Sequence, residues 1–280
     1  MKRPQIIMAV AGLALLYFLY SFGKTDADKK RTIKKEVINN QGLVYNTDSI
    51  LANAKSRISD QQVLRLNELE HSISRGDVKE QQLKIYHQLS HFWADSARIF
   101  EPYAWYEAQA ARLENSEKTL IFAARLFLGD LRQEADPGKK KWKAEQAKDL
   151  YDRSLNVNPL NDSAKVELGI CNIYGGIAET PMEGIQKIKA VLDRDSTNIY
   201  ALMALADASM FSGQYDKAIE RLKKINDLEP ANLDAILKLA DAYTSLGRKK
   251  EAIEWYTKSL PLLKRADWRQ EVQKRINELK

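Results

Sequence analysis

Histidine, a single cysteine and a glycine pair are the residues of this 280-residue chain whose types and spacing could do chemistry. His87 and His91 are four apart, so on a helix they share a face, the spacing at which two imidazoles can hold one divalent metal. No carboxylate completes an H-E-x-x-H pattern, and the interleaved Tyr86, Leu89, Phe92 and Trp93 read as packing; His71 is the only other histidine. Cys171 lies in the apolar run GICNIY with no histidine near it in sequence, which reads as a buried, inert thiol. One cysteine excludes an intramolecular disulfide but leaves the redox compartment open. Gly175-Gly176 has neither a GxGxxG nor a Walker context to cradle a phosphate. Trp93, Trp105, Trp142, Trp255 and Trp268 are scattered and read as packing anchors. The expectation is a chain with no catalytic residue, no metal site and no cofactor. An enzyme using His87 and His91 as metal ligands stays as the third-ranked reading.

The elements that would position these residues are helices. From residue 48 the apolar spacing is helical nearly throughout, with no alternating, β-branched run of strand length. Gly and Pro together number 19, too few for a loop-rich β protein. Punctuation falls at Ser59-Asp60, Gly76-Asp77, Glu101-Pro102, Asp136-Pro137-Gly138, Asn158-Pro159, Gly175-Gly176 and Glu229-Pro230. Asp, Ser and Asn at such points can accept from the unpaired N–H groups that open the next helix.

Those helices repeat. Leu-Ala-Asp-Ala at 205–208 recurs at 239–242, an offset of 34, and at the same offset Gly213 meets Gly247, Ala218-Ile219 meets Ala252-Ile253 and Ala201 meets Ala235. Ala164 meets Ala201 at 37; the three extra residues fall in the turn GGIAETP, after which Gly184-Ile185 meets Ala218-Ile219 at 34. Ala147, Tyr151, Ser154 and Pro159 have the spacing of Ala218, Leu222, Ile225 and Pro230. Small residues at Gly169, Ala206 and Ala240, and at Gly184, Ala218 and Ala252, would let paired helices approach closely. Leu168, Leu205, Leu239, Leu222 and Tyr256 would fill the space beside them. Gly213 and Gly247 would take the positive φ of a turn inside each hairpin. One hairpin cannot bury its apolar face alone, so the units must stack.

This pattern resembles the tetratricopeptide repeat family, over about 116–264 and more loosely over 78–115, where Pro102 and Gln109 stand at positions that are usually small. Ile225 and Val191 also stand where Ala is usual, and Lys264 where Pro is usual. The run LMALADASMFSGQYDKAIERLKKINDLEP is similar to the repeat modules of cytochrome c maturation proteins, and the apolar N-terminus before a repeat array to membrane-anchored bacterial repeat proteins. The resemblance implies an all-α chain, an α-solenoid of stacked helical hairpins preceded by a single N-terminal transmembrane helix. The expected division is 1–23 anchor or uncleaved signal, 24–47 basic linker, 48–77 capping helices, 78–264 about five hairpins and 265–280 a C-terminal capping helix. The hairpin over 142–158 is expected to follow an enlarged loop, DPGKKK.

In this family the first helix of each hairpin lines a groove for peptides or helices. The implied groove residues are Val166, Ile170, Ile173 and Tyr174, then Tyr200, Met203, Asp207, Met210 and Phe211, then Lys238, Asp241, Thr244 and Ser245. Their expected ligand is a partner with apolar side chains and a basic group for the two aspartates. The competing reading makes Met203, Met210 and Phe211 core, or covers them with the chain's own N-terminal helices. The implied function is a protein–protein interaction scaffold; the narrower alternative is a chaperone-like factor in envelope assembly or cytochrome c maturation. A homo-oligomer is compatible with either.

The formal charge is +6 and resides in residues 1–35, which hold eight basic residues against Asp26 and Asp28. The remainder is neutral, which argues against a nucleic-acid partner, since such proteins carry a basic face. Ile6–Phe22 holds no charge; at 1.5 Å per residue this is about 26 Å of helix, the short end of a membrane span. A cleaved signal peptide competes, but the run exceeds its usual apolar core of about 7–15 residues, so an anchor is preferred. Lys2 and Arg3 favour an inside N-terminus, while the cations at 24–35 pull the other way. The expected location is a bacterial inner membrane, single pass, with the body on the periplasmic side and the cytoplasmic orientation left open.

Overall fold

The computed structural model describes residues 46–73, 78–129, 131–177 and 180–280. The expected anchor at 6–22 and the basic linker lie outside the described residues. Residues 45–280 form a unit of their own. Its helices are α1 (Thr47–Lys55), α2 (Asp60–Ile73), α3 (Lys79–His91), α4 (Phe100–Glu114), α5 (Glu117–Gly129), α6 (Pro137–Val157), α7 (Asp162–Tyr174), α8 (Pro181–Arg194), α9 (Ile199–Phe211), α10 (Tyr215–Leu228), α11 (Leu233–Ser245), α12 (Lys249–Ser259) and α13 (Ala266–Leu279). From α3 onward they pair in order as five hairpins, with α13 on the end, an all-helical solenoid. Among the described residues there is no strand, and no helix is long and apolar enough to cross a membrane.

The hairpins start alike because asparagine recurs at their first caps. The Oδ1 atoms of Asn161, Asn198 and Asn232 accept from the backbone N–H of Ala164, Ala201 and Ala235 at 2.9, 3.0 and 3.0 Å. Asn161 and Asn232 sit two or three residues beyond the expected punctuation, and Asn198 caps a helix where no punctuation was expected. The turns inside the last two hairpins place Gly213 at φ 72° and Gly247 at φ 69°, where a side chain would be strained.

Two expectations are corrected. The segment DPGKKK is not loop: Asp136 Oδ1 accepts from Gly138 and Lys139, Pro137 opens α6, and the three lysines are helical. Proline costs nothing there, since that N–H has no intrahelical acceptor. Glu101-Pro102 is not a turn either. α3 runs into a π-helical segment, Phe92–Ala97, the chain reverses at Arg98 with φ 55°, and Pro102 sits in the first turn of α4.

Small residues set the depth of packing. A Cβ on Gly184 would lie 2.3 Å from the carbonyl oxygen of Gly169, so α7 and α8 meet backbone to backbone. Ala206 with Ala218, and Ala240 with Ala252, are fully buried at the equivalent places. The core is a chain of five apolar clusters in which neighbours share bridging side chains: Trp105, then Leu128, then Leu192, then Trp255. Trp142 Nε1 donates to Thr47 Oγ1 at 3.2 Å, and α1 packs on α4. The described N-terminal helices therefore lie against α3, α4 and α6, leaving the face of α7, α9 and α11 uncovered. At the other end α13 buries Val272 and Ile276 and turns a polar side outward.

Candidate partner-binding face

The first helices of the hairpins, α5, α7, α9 and α11, present one face. Between α5, α7 and α9 lies a hollow of about 340 Å³, lined by Leu128, Ile170, Met203 and Ala204 with Tyr174, Tyr200, Arg132 and Asp207 around it. Of the groove residues expected from the repeat register, Ile170, Tyr174, Tyr200, Met203 and Asp207 come together here. Phe211 is 75% exposed, and its ring meets Tyr174 edge to face at 5.2 Å. Val166 and Ile173 are core residues packed with Ile188 and Val191, because the turn of α7 carries them under the face toward α8. Met210 is half-buried against the core of α9–α12. Asp241, Thr244 and Ser245 line a separate hollow of about 430 Å³ with Tyr256 and Arg275. Lys238 bridges toward the first hollow, its Nζ 3.7 Å from Met203 Sδ.

The face is crossed by ion pairs that join hairpins. Glu167, buried in α7, accepts from Arg125 Nε of α5 at 2.9 and 3.2 Å and from Tyr200 OH of α9 at 3.2 Å. That bond to Glu167 holds Arg125 above its ordinary value, and burial together with Glu167 pushes the Tyr200 phenol up. Asp207 lies between two cations, Arg132 Nη1 at 3.1 Å and Lys238 Nζ at 2.9 Å. Arg132 also lies over the Tyr174 ring, 4.3 Å from its centroid. Burial alone would lower Lys238, but Asp234 and Asp207 outweigh it and hold the ammonium above its usual range. Asp241 accepts from Tyr256 OH, with Arg275 3.4 Å away. Each of the two aspartates thus already has a cation of the same chain beside it, Asp207 at 15% exposure and Asp241 at 42%.

Residues 211–269 match the family model described as tetratricopeptide repeat. That segment is built of tetratricopeptide repeats. The matched segment spans the end of α9 to the start of α13, where the offset of 34 is cleanest. Among similar solved structures, PilW, described as a widely conserved type IV pilus biogenesis factor, is 17% identical, with 82% of this chain and 100% of that one covered and a TM-score of 0.50. YrrB, described as a TPR protein with an unusual peptide-binding site, is 14% identical over 74% and 97% with a TM-score of 0.44. MamA of Desulfovibrio magneticus RS-1 is 22% identical over 67% and 96% with a TM-score of 0.45. At 17% identity the likeness to PilW speaks for the fold alone. No curated protein matches the chain.

The remaining candidates of this repeat protein sit apart from that face. His91 Nδ1 is 3.3 Å from Asp95, and His87 Nδ1 is 3.9 Å from Glu107; among the described residues no group of three or more His, Cys, Asp or Glu could hold a metal. Cys171 is fully buried, and burial pushes its thiol up, away from the thiolate a nucleophile needs. Arg125, Arg132 and Glu167 are the residues of the face that sequence reasoning passed over. For Glu167 a signal existed: a carboxylate between Val166 and Leu168 in an otherwise apolar stretch needs a buried partner. For Arg132, whose contact lies 75 positions away, none did.

Proposed function

We propose that this chain is a non-enzymatic interaction scaffold, tethered to a membrane through residues 6–22, whose α5–α7–α9–α11 face receives a segment of a protein partner. The observation that carries the reading is the open hollow between α5, α7 and α9 with Tyr200 and Phe211 exposed at its edge. A folded chain rarely leaves neighbouring large aromatics uncovered beside a cavity unless something else covers them. The partner contacts are assigned to Ile170, Tyr174, Tyr200, Met203, Phe211 and Lys238, with Asp207 bracing Arg132; Asp241 and Thr244 belong to the adjoining hollow. The tether rests on the uncharged run at 6–22 and its basic flanks. In this reading the body stands on the outer side of a bacterial inner membrane.

A photoreactive side chain at position 211 tests the face. Crosslinking in intact cells is expected to give a discrete adduct from position 211 and none from position 220, an exposed site on α10. Equal adducts from both, or none from 211, remove the reading. An adduct of twice the chain's mass identifies a second copy as the occupant. A reporter fused after Lys280 that is active only in the cytoplasm overturns the orientation.

A further inference from the structure

The ion pairs of this face are unequally placed in depth. The Glu167 side chain is 5% exposed while its partner Arg125 is 54% exposed. Asp207 is 15% exposed while Arg132 is 46% exposed. In these two pairs the carboxylate lies beneath and the guanidinium above, so each pair is neutral in sum but shows its positive group to a ligand. Each guanidinium keeps donors to spare. Arg125 gives Nε and Nη2 to Glu167, leaving Nη1, and Arg132 gives Nη1 to Asp207, leaving Nε and Nη2 without an acceptor among the described residues. Stacking on Tyr174 holds the Arg132 plane in place.

Each guanidinium also borders an apolar hollow. Arg132 edges the hollow of about 340 Å³ floored by Leu128, Ile170 and Met203. Arg125 edges a second, of about 520 Å³, between the first turns of α5 and α7, where Ile121 and the half-exposed Phe122 form the apolar surface. Ile121 and Leu128 are seven residues apart and share one face of α5, so the hollows are spaced by about 10 Å along its axis.

The geometry points to an acidic, amphipathic partner segment: two apolar side chains about 10 Å apart, each with an aspartate or glutamate beside it. The apolar groups enter the two hollows, and the carboxylates accept the spare donors of Arg125 and Arg132 in charge-assisted hydrogen bonds, forked at Arg132. The inference rests on the groove reading above and fixes the sign of charge that the groove takes, opposite to the basic group suggested by Asp207 and Asp241 alone.

The test uses the full chain in an uncharged detergent and a random dodecapeptide phage library. Selection is expected to enrich Asp and Glu next to Leu, Ile or Phe. Enriched sequences made as blocked peptides are expected to lose about tenfold in affinity for each Glu→Gln change, and to weaken as salt rises. The paired variants Arg125→Gln with Glu167→Gln, and Arg132→Gln with Asp207→Asn, leave no buried carboxylate unpaired; each is expected to abolish the Glu-over-Gln preference at the one ligand position it faces while retaining helical circular dichroism. Neutral or basic enriched peptides, a costless Glu→Gln change, or binding that requires a free C-terminal carboxylate each overturn the acidic-segment assignment. If those peptides still lose binding on Phe211→Ser, the groove itself stands. No enrichment over a protein-free control removes both.

Discussion

The hairpins α9–α10 and α11–α12 are near copies, whereas α5–α6 and α7–α8 are each irregular in their own way. In the copies, a glycine at positive φ closes each turn and alanines separate the helices. The irregular pair relies on individual side chains. Lys143, 2% exposed, is held by Glu134 at 2.6 Å across the α5–α6 turn, and the α7–α8 crossing depends on two glycines in backbone contact. The irregular pair also carries both guanidiniums and the α5 and α7 walls of both hollows, while α9 of the regular half supplies Tyr200, Met203 and Asp207 to the first. Regular repeats secure their stacking through backbone conformation and small residues, which leaves their outward side chains free to vary. Departures from the repeat need specific polar partners, and those same partners give a surface its chemistry.

The contrast can be broken by substitution. Glu134→Ala should cost the most, about 3 kcal/mol, because it leaves a buried ammonium without its carboxylate; urea denaturation followed by circular dichroism measures it. Glu134 also sets a pH dependence. Burial pulls its pKa up, but the Lys143 ammonium and the Asp136 N–H outweigh burial and hold it below the usual carboxylate range. Its contribution is therefore complete above the ordinary glutamate range and lost as pH falls through its own lower value, and Glu134→Gln should flatten that part of an acid titration. Gly184→Ala should cost about 2 kcal/mol, since the new methyl meets the Gly169 carbonyl and the hairpin must open. A wild-type melting temperature for Gly184→Ala would show that the crossing is looser than described. Asn232→Ala, in the regular half, should cost about 1 kcal/mol through the lost cap. Phe211→Ser should change stability by less than about 0.5 kcal/mol, yet remove peptide selection; a large loss of stability would make Phe211 a structural residue.

The regular half was legible because its chemistry is local. The 34-residue offset of Leu205–Ala208 over Leu239–Ala242 locates α9 and α11, and the expected turn glycines do take positive φ. Ala147, Tyr151 and Ser154 are buried in α6 as their spacing required. The irregular half was misread where one strong local signal overrode another. Pro102 suggested a break, but the reversal belongs to Arg98, and DPGKKK suggested a loop, but Asp136 caps a helix that contains those lysines. The face was legible only in part. Repeat register identifies which helix is first in a hairpin, not how far each side chain is turned toward the core, and so it placed Val166 and Ile173 on the surface. The pairings of Arg125 with Glu167 and of Arg132 with Asp207 span 42 and 75 positions and leave no mark in any short window of sequence.

Cys171 sits fully buried in α7, in the cluster shared by α4, α5, α6 and α7. It is the chain's single sulfhydryl, so a thiol-labelling reagent has one place to react. It reacts only in molecules whose middle hairpins have momentarily separated. The labelling rate of the unaltered protein is thus a built-in clock for opening at the centre of the stack, and its slowing on addition of a selected peptide would time how firmly an occupied face locks the hairpins together.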